Sequence, residues 1–239
     1  LVLDNPFQIG PTGTGGIGKM NRHLCGIYAI ANDSLMTSEH FLAAVEGALA
    51  GGVRLLQYRN KAPAAQPADR RAAIGYELLE LCQQYQVPLL INDDLEFCAE
   101  IGAQGVHLGQ RDGDCRYARA RLGPDAIIGI TCHDSLTLAQ TAAADGADYV
   151  AFGRFFSSVT KPEATPAALD TLSGARKQLD IPLVAIGGIN ADNGASLIEA
   201  GADMLAVIHG LFGELDQSYA EDIRQHVRQR AEQLTSLWA

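Results

Sequence analysis

At 239 residues, with 47% hydrophobic and 19% charged side chains, the chain has the size and composition of one globular domain able to bury a sizeable core. No apolar run approaches the roughly 20 residues needed to cross a bilayer, so a membrane span is not expected. The formal net charge of −10 argues against broad nucleic-acid binding, but a few basic residues in one pocket could still hold small anions.

The chain opens on a Gly-rich segment in which Gly13-Thr14-Gly15-Gly16-Ile17-Gly18-Lys19-Met20 has the spacing of a phosphate-binding loop. Met20 occupies the position where that loop needs Ser or Thr, and a strand-like run follows where a helix should begin, so the motif is rejected. Residues 1–19 read as a flexible leader or appended extension, with a single domain over 20–239. No basic start followed by an apolar segment marks a secretory signal. Five cysteines without C-x-x-C spacing read as reduced thiols in a cytoplasmic protein.

From Cys25 onward eight short apolar runs alternate with segments of helical period: Gly26–Ala31, Val53–Tyr58, Pro88–Ile91, Gly105–Leu108, Ile127–Ile130, Tyr149–Phe152, Leu183–Ile186 and Met204–Ile208. The intervening helices include Ser38–Ala50, Asp69–Gln86, Ser135–Asp145 and Asp192–Ala200. Eight repeats of strand and helix predict an α/β fold, a single (β/α)8 TIM barrel. An open doubly wound sheet is disfavoured because Ala31-Asn32-Asp33-Ser34 lacks the G-x-G-x-x-G fingerprint in the first strand-to-helix turn.

Barrel sites form at the carboxyl ends of strands, so those positions carry the functional reading. Gln57, Arg59 and Lys61 alternate after the second run and could converge on one polyanion, or form a solvated charged loop. Asn92-Asp93-Asp94 ends the third run, and Gly109–Asp114 follows the fourth. Asp93 and Asp112 are the pair expected to share a hard divalent cation, while Asp94 and Asp114 are expected to cap helices. Thr131 and His133 end the fifth run. The long Gly153–Pro166 loop offers Ser157, Ser158, Thr160 and Lys161 for a second anion. Gly187-Gly188 and Ile208-His209-Gly210 sit where barrels recurrently bind phosphate through backbone N–H groups.

Together, Gln57-Tyr58-Arg59-Asn60-Lys61, Ile91-Asn92-Asp93, Gly105-Val106-His107-Leu108-Gly109-Gln110 with Asp112, Phe152-Gly153, Thr160-Lys161-Pro162 and Ala185-Ile186-Gly187-Gly188-Ile189 resemble the thiamine-phosphate synthase family over about residues 25–212. The resemblance implies a (β/α)8 transferase of thiamine biosynthesis. Such an enzyme joins 4-amino-2-methyl-5-(diphosphooxymethyl)pyrimidine to 4-methyl-5-(2-phosphoethyl)thiazole, or its carboxylated form, with Mg²⁺, giving thiamine phosphate and pyrophosphate through dissociative loss of the diphosphate. It further implies that Gln57, Arg59, Lys61, Asn92 and Lys161 hold the pyrimidine diphosphate within a substrate-binding set that includes Tyr58 and Asn60. Asp93 and Asp112 would hold the metal. Ser158, Val159, Thr160, Gly188, Ile208 and His209 would hold the thiazole phosphate. Arg59, Lys61, Lys161 and Thr131 form the expected catalytic set, with Thr131 near the leaving group. Two departures stand out: Arg154-Phe155-Phe156 replaces a Pro-containing form, and His209 stands where Ser is common. A related thiazole tautomerase branch shares the barrel but has no diphosphate to ionise; the basic triplet and both aspartates favour the synthase. Self-association is left open.

Overall fold

The computed structural model describes residues 24–33, 38–60, 68–157, 166–215 and 220–239. The leader at 1–19, Lys61 and the Ser158, Val159, Thr160 and Lys161 group lie outside these described residues. The strands are β1 (Gly26–Asn32), β2 (Leu55–Arg59), β3 (Leu89–Asn92), β4 (Gly105–Leu108), β5 (Ile127–His133), β6 (Tyr149–Gly153), β7 (Leu183–Ile186) and β8 (Met204–Val207). Every neighbouring pair is parallel, and β8 returns to β1 with Val207 opposite Ala29, closing the barrel in sequence order.

Alternation along each strand divides the core into two layers. On β1, Ile27, Ala29 and Ala31 face outward into the layer between barrel and helices. Tyr28 and Ile30 face inward, joining Leu55, Leu90, Ile127, Tyr149, Val184 and Met204 in the barrel lumen. Burial of both faces explains why the strands read as nearly continuous apolar runs.

The covering helices are α1 (Ser38–Ala50), α2 (Ala68–Gln84), α3 (Leu95–Ile101), α4 (Cys115–Leu122), α5 (Leu136–Ala144), α6 (Leu169–Arg176), α7 (Ala195–Glu199), α8 (His209–Phe212) and α9 (Ala220–Thr235). As expected, Asp94 and Asp114 cap α3 and α4: their carboxylates accept from the N–H groups of Phe97 and Tyr117, each at 2.9 Å. Helix α7 is shorter than its periodicity predicts. Asn190 Oδ1 accepts from Asp192 N at 2.9 Å and Asn193 N at 3.1 Å, and this side-chain turn holds the chain out of the helix.

A feature not apparent from spacing ties together the amino ends of the strands. Asp148, just before β6, accepts from Ile128 N and pairs with Arg119 of α4. Asp203, just before β8, accepts from Leu183 N at 2.7 Å and pairs with Arg176 of α6 at 2.9 Å. The same device therefore appears twice, leaving the opposite rim for the site.

Candidate active site

One cavity of about 640 Å³ opens at the carboxyl ends of the strands, within the usual range for small-molecule sites. Its lining includes Gln57, Arg59, Asn92, Asp93, Asp112, Thr131, Gly188, Ile208 and His209, so nine of the expected site residues share one space.

Two expected members lie elsewhere. Period-2 alternation that turns Gln57 and Arg59 inward turns Tyr58 outward. Tyr58 is buried between Phe41 and Phe97, and its hydroxyl donates to Asp33 Oδ2 at 2.9 Å, so it is removed from the substrate-binding set. Asn60 also donates to Asp33, at 2.7 Å, and faces a shallower depression beside the main cavity.

Charge is arranged on one side of the cavity around β2, β3 and β4. Burial draws the Arg59 guanidinium below its ordinary pKa, while neighbouring Asp93 acts in the other direction. Asp93 has φ of 62°, a left-handed conformation that Asp tolerates better than most side chains. Its N–H is held by His107 O at 2.9 Å, and its Oδ2 accepts from Asn92 Nδ2 at 2.5 Å. Asp112 Oδ2 accepts from Gly109 N at 3.1 Å, which orients the second carboxylate.

Among the described residues no cluster of three or more His, Cys, Asp or Glu side chains could hold a metal. Two carboxylates lining one cavity nevertheless suit Mg²⁺, which takes one or two carboxylates and completes its shell with phosphate oxygens and water.

Across the barrel, β7 and β8 provide a backbone-lined wall. Gly188 has φ of 65°, and a Cβ there would collide with Ser157 O and lie 2.8 Å from Phe156 Cβ. Phe155 N and Phe156 N donate to Ile186 O and Gly187 O at 3.2 and 3.0 Å, seating the β6 loop on this wall. Arg154, in the segment that departs from the family pattern, lines the cavity against Gly187. The His209 imidazole leans on Gly213, with Nε2 3.8 Å from Glu214 Oε1.

Beneath the cavity lies a polar floor that sequence reasoning missed. Gln57 Nε2 donates to Tyr28 OH. Tyr28 OH and Tyr149 OH are 2.8 Å apart, Tyr149 OH is 2.8 Å from His107 Nδ1, and His107 Nε2 is 2.8 Å from Thr131 Oγ1. Tyr28, Tyr149, His107 and Gln57 are at most 9% exposed, and burial pushes both phenols far above their ordinary pKa, keeping them protonated. His107 was visible in the Gly105–Gln110 motif, but nothing local linked it to either tyrosine.

The family model for thiamine monophosphate synthase matches residues 27–211. A thiamine-phosphate synthase from Alcanivorax borkumensis is 50% identical over 198 residues, covering 83% of this chain and 90% of that protein. Another from Marinobacter nauticus is 54% identical over 188 residues, covering 79% and 83% respectively. The solved thiamine phosphate pyrophosphorylase from Pyrococcus furiosus superposes with a TM-score of 0.76 at 30% identity, covering 90% of this chain and 96% of that one. With fold, cavity and sequence in agreement, the chain belongs to the thiamine monophosphate synthase family.

Proposed function

We propose that the cavity joins a hydroxymethylpyrimidine diphosphate to a thiazole phosphate, releasing pyrophosphate and forming thiamine phosphate. The supporting observation is that Arg59, Asn92, Asp93 and Asp112 share one cavity with the Gly188 and Ile208-His209 backbone. In this reading, Gln57, Arg59 and Asn92, with Lys61 and Lys161 from outside the described residues, hold the pyrimidine diphosphate. Gly188, Ile208 and His209 hold the thiazole phosphate through backbone N–H groups, with Ser158, Val159 and Thr160 completing that subsite.

The pyrimidine methylene–oxygen bond breaks with its electron pair passing to the departing diphosphate, and the thiazole nitrogen lone pair then forms the new carbon–nitrogen bond. Arg59 stabilises the growing negative charge, Thr131 lies near the leaving oxygen, and no protein nucleophile is needed. Asp93 and Asp112 would hold Mg²⁺, which supplies Lewis-acid neutralisation of diphosphate charge when bound. Placing both substrates in one cavity converts their encounter into a local reaction. The test combines both substrates with and without Mg²⁺ and measures pyrophosphate and thiamine phosphate. Metal-dependent formation of both is expected; thiazole tautomerisation without pyrophosphate would overturn the reading.

A further inference from the structure

The polar floor connects Gln57 on β2 and Thr131 on β5, which line the cavity, through three side chains from three other strands, of which His107 also lines it. Its direction follows from the donors available. An amide nitrogen only donates, so the Tyr28 oxygen accepts from Gln57 Nε2. The Tyr28 proton then needs an acceptor, and Tyr149 OH at 2.8 Å is its hydroxyl neighbour among the described residues. Tyr149 in turn donates to His107 Nδ1, which leaves the imidazole proton on Nε2 for donation to Thr131 Oγ1.

Reversing this order would leave the Tyr28 hydroxyl accepting from both sides with its own proton buried and unsatisfied, at a cost typical of an orphaned polar group. The raised phenol pKa values agree with both tyrosines keeping their protons. The rings are also firmly seated. His107 stacks on Tyr149 at 5.6 Å between centroids and 17° between planes, and Tyr28 meets Tyr149 edge-on at 5.8 Å and 84°. Gly129 makes the space for this arrangement, since a Cβ there would overlap the Tyr149 ring.

We infer that Tyr28, Tyr149 and His107 form a directed hydrogen-bond relay that fixes Gln57 as an acceptor and Thr131 as a donor toward the cavity. With Nε2 committed to Tyr28, Gln57 presents Oε1, which suits an amino group on an aromatic ring. With its oxygen occupied by His107 Nε2–H, Thr131 turns its own proton toward the cavity, which suits an oxygen gaining negative charge. Gln110 Nε2 donating to Thr131 O at 2.6 Å holds the backbone at that end. Tyr28 and Tyr149 are thus positioning residues that act through the groups at the ends, and His107, which also lines the cavity, positions Thr131 through Nε2. Assigning those ends to the pyrimidine amino group and the departing diphosphate rests on the proposed function; the direction of the relay does not.

The first test is the His107 tautomer, read by long-range proton–nitrogen correlation on ligand-free, full-length protein labelled with nitrogen-15 in histidine. The signal among the six histidines is assigned by its loss in His107→Gln. A neutral imidazole protonated on Nε2 is expected; protonation on Nδ1, or on both nitrogens, overturns the relay. This readout stands even if the paired-substrate assay fails, so the two readings can fail separately. The second test is kinetic. Tyr149→Phe should lower kcat by about tenfold, the rate equivalent of one ordinary hydrogen bond, and Tyr149→Phe combined with Thr131→Val should be no slower than Thr131→Val alone. Tyr28→Phe should raise KM for the pyrimidine diphosphate more than it lowers kcat. Multiplicative losses in the double variant, or a lowered melting temperature with unchanged kinetics in Tyr149→Phe, would reduce the three rings to packing.

Discussion

Replacing Asp93 with Asn separates the metal-binding proposal from the stability of the fold. Asn is chosen because Asp93 occupies left-handed backbone at φ of 62°, where Ala would add strain and Asn fits nearly as well as Asp. The change removes one charge near Arg59 and alters the acceptor facing Asn92 Nδ2 at 2.5 Å. At a partly exposed strand end, those losses amount to about 1 kcal/mol or less. For a domain of this size that shifts Tm by roughly 2–4 °C. If Asp93 holds the cation that stabilises the departing diphosphate, losing its charge should reduce kcat/KM by on the order of 10²–10³, comparable to losing one preorganised transition-state donor. Thermal melts, paired-substrate kinetics and calorimetric Mg²⁺ titration with pyrophosphate make the comparison direct. Turnover within tenfold of the parent at saturating Mg²⁺ would refute the reasoning, as would a fall in Tm large enough to account for the lost activity.

Arg154→Ala should raise KM for the thiazole phosphate by about tenfold while affecting the pyrimidine diphosphate far less, because Arg154 lies against Gly187 across the barrel from β2. Equal increases in both KM values, measured by varying each substrate separately, would contradict that placement. Stability should also fall at alkaline pH. Burial raises Cys82, Cys98 and Cys132 from 9.0 to about 12 and Cys115 to about 11, and it raises Tyr28, Tyr58 and Tyr149 well above 10.0. Since the folded state holds these protons more tightly, the contribution is fully present below pH 9 and is lost as pH climbs toward the folded values. The slope approaches about 1.4 kcal/mol per pH unit for each group that ionises only on unfolding. Urea midpoints under reducing conditions should therefore be level below pH 9 and decline above it; a midpoint that held steady to pH 11 would count against the burial argument.

The barrel was legible because parallel strands covered on both faces leave a strong local trace in Val53–Tyr58 or Leu183–Ile186. Their ends were less legible: β5 continues to His133, past the predicted Ile130, with a register irregularity between Thr131 and His133. The rim could be read by position, so Arg59, Asn92, Asp93, Asp112 and Thr131 were brought together as expected. Tyr58 was included through its neighbours in the motif, although the alternation that turns Gln57 inward turns it outward. The polar floor could not be seen from local pattern. Tyr28 and Tyr149 are 121 residues apart and sit inside apolar strands, where an aromatic ring ordinarily signals packing alone.

Because the floor draws one side chain from each of β1, β2, β4, β5 and β6, no contiguous fragment short of β6 contains it. Its two middle bonds join β1 to β6 and β6 to β4, strands that are not neighbours in the ring, so adjacent pairing alone cannot create them; the sheet must first curl far enough to bring separate walls within reach. Chemical competence would then be a late acquisition during folding, withheld from open or half-wound forms even when every rim residue is already on its proper strand.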